Sequence, residues 1–243
     1  VLLDNNFETI VMAIKQGRVI FSNIKKVILY LLSDSFSEVA IIVGSLLLGL
    51  PLPLLAAQIL WVNLVNDGLP ALALTMEPEE EEIMNNRLRE RNKQLFDFES
   101  RFLTIVITFL SASSSLWIFW YFLQMTGNVD LARTATFTAL GIDTLFYVFS
   151  IKSLDHNILK AKPFRNKYLN GAVVIGLGMQ MVAIYVPFFN KALRTVPLTW
   201  EEWKIILVVI VATIVLIEVI KAIFIKYYKN KKKDLCVDCT KRL

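Results

Sequence analysis

The chain has 243 residues, of which 56% are hydrophobic and 19% charged, with a mean hydropathy of +0.55. That excludes an ordinary soluble domain, because the apolar residues come in blocks near the ~20-residue length with which a helix crosses a bilayer. The formal net charge of +5 gathers between those blocks, so it reads as membrane topology and lipid-headgroup attraction and excludes a nucleic-acid footprint.

In chain order, residues 1–23 read as the end of a soluble α/β piece. Val1-Leu2-Leu3 is strand-like, Asn5 to Ile10 opens a helix, and Gly17 and Arg18 lead into a first span at 24–49. No charged segment followed by a small-residue cleavage site opens the chain, so no signal peptide is expected there. A soluble strand and helix beginning in mid-pattern point to a chain cut from something larger. The short Gly49-Leu50-Pro51-Leu52-Pro53 connection makes the first span and a second, 52–75, an antiparallel hairpin. A charged loop covers 76–101; its run Glu79-Glu80-Glu81-Glu82 reads as a solvated face or the first turn of a helix. Four further blocks, 102–125, 131–151, 168–189 and 203–227, form a carboxyl-terminal four-helix membrane domain over 102–227. A basic tail fills 228–243. The expected fold class is therefore an all-α polytopic membrane protein, six transmembrane helices in a bundle, preceded by the short α/β end-piece.

Lys and Arg set the orientation. Lys25 and Lys26 precede the first span, Arg87, Arg89 and Arg91 follow the second, Lys160, Lys162 and Arg165 follow the fourth, and Lys231, Lys232 and Lys233 lie in the tail. The opposite side holds only Arg133, Lys191, Arg194 and Lys204. Both termini are expected to be cytoplasmic, which requires an even number of spans. Cys236 and Cys239, in the Lys-rich tail, suggest a reducing compartment; a lone C-x-x-C there does not by itself define a metal or redox site. His156, the sole histidine, falls in a cytoplasmic loop and reads as uninvolved.

The chemistry lies in polar residues inside the apolar blocks. Trp61-Val62-Asn63-Leu64-Val65-Asn66-Asp67-Gly68-Leu69-Pro70 puts two amides and a carboxylate in mid-span. A carboxylate at the bilayer centre costs about 3 kcal/mol on insertion scales, so its default meaning is an ion or proton site. Asn63, Asn66 and Asp67 are i, i+3 and i+4 and share one helical face. Gly68 and Pro70 weaken the helix there, so that backbone carbonyls can turn towards a cation. Interhelical hydrogen bonding of buried amides would explain the asparagines but not Asp67. In the first span Asp34, Ser35 and Glu38 face one way or nearly so, and the fourth contributes Asp143. No basic residue lies at matching depth, which favours a cation or bound protons as the neutralising partner. Carboxylate, amide and hydroxyl oxygens from three helices suit a hard cation such as Ca²⁺. Gln180 in the fifth span stays outside this set, and Glu218 reads as the partner of Lys221 on a helix surface.

Two stretches carry a family resemblance. Asn5-Asn6-Phe7 through Gly17-Arg18-Val19-Ile20-Phe21-Ser22-Asn23-Ile24-Lys25-Lys26 resembles the junction where the phosphorylation domain of P-type cation ATPases enters the fifth membrane helix. Trp61 to Ala71 is similar to the sixth helix of the P2 branch, nearest to sarco/endoplasmic-reticulum-type calcium pumps, and Leu74 to Pro78 continues that pattern. From about residue 100 only the helix layout matches. The resemblance implies a cation site between the family's fourth, fifth, sixth and eighth helices, with Glu38 as the fifth-helix glutamate, Asn63 and Asp67 as sixth-helix ligands, and Asp67 bridging two calcium sites. Ser35 stands where the two-site pumps have asparagine, Asn66 where they have threonine, and Asp143 where they have an eighth-helix glutamate. Asp34 has no acidic equivalent. It either compensates in part for Ser35 or faces lipid headgroups or another helix.

The resemblance also implies a carboxyl-terminal transport half of an ATP-driven pump, in which strain passes through residues 1–26 to rotate Glu38 against Asn63 and Asp67. The partners are then the bilayer and the pump's amino-terminal part: the actuator, nucleotide and phosphorylation domains and the first four helices. The phosphorylated aspartate and the binding of ATP and Mg²⁺ belong to that part, so these residues alone do not hydrolyse ATP. The expected cargo is Ca²⁺; the alternatives are Mn²⁺, Na⁺, K⁺ or H⁺ in the same family. An ion-coupled secondary transporter would need internal repeats, and no second Asn-x-x-Asn-Asp pattern occurs in 131–227.

Overall fold

Forty-one residues without a proline, Phe7–Leu47, form one unbroken helix, α1, about 60 Å long at 1.5 Å per residue. It runs without a break from the expected end-piece into the first span, and its length is about twice the ~30 Å apolar thickness of a bilayer. The computed structural model describes residues 7–78, 98–152 and 163–240, with 228–240 as backbone only. The strand-like end at 1–3, the glutamates Glu79 to Glu82, His156 and the side chains of Cys236 and Cys239 lie outside it.

The chain turns back after α1 through Gly49, whose φ of 67° suits a residue without Cβ. The second apolar block is not one helix. It divides into α2, Ala56–Trp61, a π-helical turn, Val62–Asp67, and α3, Gly68–Thr75. Helix α4, Phe98–Thr126, and helix α5, Val129–Lys152, are joined by two residues. Gly127 takes a φ of 64°, and Asn128 caps α5 by accepting the Asp130 and Leu131 N–H groups at 3.0 and 3.3 Å. A single 3₁₀ turn, Pro163–Arg165, precedes α6, Lys167–Tyr185. The block expected at 168–189 breaks at Pro187, which opens the short α7, Pro187–Leu193, at a position where its missing N–H costs nothing. Helix α8, Trp200–Thr240, runs on through the Lys-rich tail. Among the described residues five uninterrupted helices are long and apolar enough to cross a membrane.

Helix α5 is the centre of the bundle, buried along almost its whole length, with α1, α4, α6 and α8 packed around it. Apolar clusters fill both halves. One holds Leu29, Tyr30, Leu74, Leu145 and Ile151, and another holds Ile41, Leu54, Val62, Phe137 and Leu140. The acidic residues Asp34, Asp67 and Asp143 lie in sequence between these two clusters on α1, the second crossing and α5.

Polar contacts gather the connections at two opposite ends. At one, Asn23 donates to the Thr75 and Glu77 carbonyls at 3.1 and 3.0 Å, and Asn166 donates to the Ala73 carbonyl and to Glu77 Oε2 at 3.1 and 2.8 Å. Lys152 Nζ lies 3.3 Å from Glu77 Oε1, both side chains almost fully buried. At the other end Arg133 Nε donates to the Leu52 carbonyl at 2.8 Å and Gln58 Nε2 to that of Leu193 at 3.1 Å. Glu218 and Lys221 prove not to be a surface pair. The Lys221 side chain is 2% exposed and donates to the Ser150 carbonyl at 2.6 Å, clamping α8 to the end of α5, with Glu218 3.7 Å away.

Candidate functional site

Pro70 has no N–H, so the Asn66 carbonyl one turn back loses its α-helical donor. The chain widens into the π turn over Val62–Asp67, and the Tyr30 hydroxyl donates to the Asn66 carbonyl at 3.1 Å. The weakness expected from Gly68 and Pro70 thus takes the form of a π turn that continues into α3, not an unwound stretch. Such turns recur at functional sites because they re-aim side chains without ending the helix.

The π turn lies against α1 in antiparallel register. Glu38 faces Asn63, whose Nδ2 donates to Glu38 Oε1 and Oε2 at 2.8 and 3.0 Å and to the Ile59 carbonyl at 3.0 Å. One turn down α1 and one turn along the second crossing, Asp34 adjoins Asp67. Asp34 and Asp67 are fully buried, and no protein donor reaches any of their four carboxylate oxygens. Asp143 on α5, 3% exposed, accepts a short hydrogen bond from Ser111 of α4 at Oδ2, while its Oδ1 has no donor.

Asn66 is held by its nitrogen. Nδ2 donates to Gln180 Oε1 at 3.0 Å, which leaves the buried Oδ1 without a donor. Gly141 of α5 makes the room for this, since a Cβ there would stand 2.3 Å from Asn66 Nδ2 and 3.0 Å from Gln180 Oε1. Tyr147 backs the arrangement by donating to the Tyr30 carbonyl at 3.3 Å and packing its ring 5.4 Å from that of Tyr30.

Of the expected ligands, α1, the π turn and α5 bring Glu38 against Asn63, Asp67 one turn away beside Asp34, Asp143 within electrostatic range of Asp34, and Asn66 against Gly141. Ser35 is not among them. It is exposed on α1, because one residue turns the helix by about 100°, off the face that Asp34 and Glu38 share at i, i+4. Gln180 and Tyr30 were not expected in the site, and Asp34 was expected either to compensate in part for Ser35 or to face lipid headgroups or another helix. Asp34 carried a legible signal in its spacing to Glu38, and Gln180 one in being a lone amide in an apolar span. Tyr30 carried none, since an aromatic in a membrane helix usually packs or anchors.

Chemically this is a buried set of oxygens, of which both of Asp34, both of Asp67, Oδ1 of Asp143 and Oδ1 of Asn66 have no hydrogen-bond partner. Buried carboxylates without donors or counter-charges are costly, and among the described residues no ion pair reaches Glu38, Asp34, Asp67 or Asp143. Donors of this class suit hard cations. Among the described residues no three acidic, His or Cys side chains close a cage by themselves, so a cation held here would need amide and carbonyl oxygens as well.

Comparison with known proteins agrees with this chemistry. The family model described as "Cation transporting ATPase, C-terminus" matches residues 51–223. A calcium-transporting ATPase of Bacillus subtilis is 36% identical over 85% of this chain and 23% of its own length. Calcium-transporting ATPase 1 of Bacillus cereus is 34% identical over 91% of this chain and 27% of its own. An endoplasmic reticulum-type calcium-transporting ATPase of Arabidopsis thaliana is 29% identical over 91% and 26%. The chain spans about a quarter of the length of these relatives. With its long apolar helices it is an integral, multi-pass membrane protein, and it belongs to the carboxyl-terminal family of cation-transporting ATPases.

Proposed function

We propose that these residues are the transport half of an ATP-driven pump whose cargo is Ca²⁺, and that Glu38, Asn63, Asn66, Asp67 and Asp143 supply ligands to it. The observation that carries this is the burial of Asp67, neither of whose carboxylate oxygens has a hydrogen-bond partner, and of Asp143, whose Oδ1 has none. A cation satisfies such oxygens, and its loss would leave them to protons. Asn63 now offers Glu38 its amide nitrogen. Turning that amide about its last side-chain bond would present the oxygen instead, so the pair can change from a hydrogen bond to two ligands of one ion.

ATP hydrolysis belongs to the remaining three quarters of the pump, with Mg²⁺ and the phosphorylated aspartate. Helix α1 suits the task of receiving that work, because a rod about 60 Å long carries movement at its Phe7 end directly to Asp34 and Glu38. Rotation or sliding of α1 against the π turn separates Glu38 from Asn63, and a shift of an ångström or two is enough to spoil a Ca²⁺ site. Asn63 is only half-buried. That open side is where the pump's fourth helix would close the cage.

The test is phosphorylation of the full-length protein by ATP, screened across Ca²⁺, Mn²⁺, Na⁺, K⁺ and pH. Ca²⁺ is expected to activate, and Asp67→Asn, which keeps volume and removes charge, is expected to abolish both activation and Ca²⁺ binding while leaving the fold intact. Normal transport by Asp67→Asn would overturn the reading, and activation by a monovalent ion alone would reassign the cargo.

A further inference from the structure

Asp34 is the one acidic side chain of the site that the family resemblance leaves without a role. Its carboxyl is fully buried, neither oxygen has a protein donor, and it adjoins Asp67, which is in the same condition. It also lies within electrostatic range of Glu38 and Asp143. The buried cations Lys152 and Lys221 are committed at one end of the bundle, Lys152 to Glu77 and Lys221 to the Ser150 carbonyl.

The placement is not accidental to α1. Asp34 and Glu38 share a face at i, i+4, and Asp67 and Asn63 share one at the same spacing on the antiparallel partner. The hairpin therefore stacks two rungs, Glu38 against Asn63 and Asp34 against Asp67. In the upper rung an amide N–H₂ donates to both oxygens of the carboxylate; in the lower rung two carboxylates adjoin, and none of their oxygens has a hydrogen-bond partner. Asn66, next to Asp67 in the π turn, has its nitrogen held by Gln180 and its buried Oδ1 without a donor. Ser35, at the exposed face of α1, does not reach this level.

Resting on the transport reading above, we propose that Asp34 is itself a ligand of the transported divalent cation, paired with Asp67 across the hairpin in the role expected of Ser35. The lower rung then carries two formal negative charges. That charge matches a divalent ion, whereas a monovalent ion would leave the carboxylate pair with one negative charge uncompensated.

The experiment uses the full-length protein with Ca²⁺ alone as probe. Equilibrium ⁴⁵Ca²⁺ binding and the thermal midpoint with and without Ca²⁺ are compared for the parent, Asp34→Asn, Asp34→Ser, Ser35→Ala and Asp67→Asn. A ligand at position 34 predicts that Asp34→Asn and Asp34→Ser lower affinity at least tenfold or remove one bound Ca²⁺ per molecule. Their midpoints without Ca²⁺ should equal or exceed the parent's, since an unneutralised buried carboxylate has gone, and the rise on adding Ca²⁺ should shrink. Parent-like binding by both variants, with binding lost in Asp67→Asn, would overturn the role of Asp34 and leave the transport reading standing. A lowered midpoint without Ca²⁺ in both variants would assign Asp34 to packing and also overturn it. Loss of affinity in Ser35→Ala but not in Asp34→Asn would return the role to Ser35. Unchanged binding in Asp67→Asn would bring down the transport reading and this inference together.

Discussion

At the scale of single residues, the site depends on how little space Asn66 has. A methyl group at Gly141 would fall 2.3 Å from Asn66 Nδ2, inside any real contact distance, and both neighbours are buried side chains. Gly141→Ala must therefore push Asn66 or Gln180 aside and break the hydrogen bond between them. Overpacking of this kind costs about 1–3 kcal/mol. We expect a thermal midpoint a few degrees lower and a several-fold loss of Ca²⁺ affinity, measured on the same purified full-length variant. Parent-like affinity in a destabilised Gly141→Ala protein would show that Asn66 is not held for binding. Asp67 and Asn66 stood out as site candidates because polar atoms in an apolar block demand a reason. Gln180 stood out in the same way, but its partner did not, because nothing in one sequence says which span faces which. The inward turn of Asp34 and the outward turn of Ser35 were equally hidden, since adjacent residues differ by about 100° and only packing fixes the zero of that angle.

At the scale of elements, the buried ion pair of Lys152 and Glu77 ties the exit of α3 to the end of α5, with Asn166 of the α6 cap and Asn23 of α1 bonded to the same residue. Removing one partner of such a pair strands a buried charge, at a cost of about 3–5 kcal/mol. Lys152→Met is expected to lower stability by that order, and Lys152→Met with Glu77→Gln should recover part of it, because the stranded charge is gone and the Asn166 contact can persist. Thermal unfolding of both variants checks this; additive losses would deny the coupling. The sequence displayed Glu77 only as part of a Glu-Pro ending, and Lys221 only as a neighbour of Glu218. In both cases the decisive partner lies on another helix. The helical blocks themselves were readable from hydropathy, whereas the π turn was not, because Gly68 and Pro70 announce a weak point without saying whether the chain unwinds or widens there.

At the scale of the whole molecule, contacts at opposite ends place the connections 48–55 and 186–199 together, and 76–78 with 163–166 at the other end. The excess of Lys and Arg on the second side predicts, by the positive-inside rule, that this side faces the cytoplasm. A cysteine introduced at Ala192, which is exposed, should react with an impermeant thiol reagent added to sealed cells, whereas one introduced in the loop 79–97 should react only after permeabilisation. The reverse pattern would invert the orientation. The two arms of the hairpin also differ in stiffness: α1 is unbroken over 41 residues, and its partner carries a six-residue π turn. When a rigid beam is pushed against one with a soft joint, the joint takes the deformation. Two equally rigid helices would slide as a unit and leave every contact between them slightly worn. Here the strain has a single place to collect, and that place holds Asn63, Asn66 and Asp67.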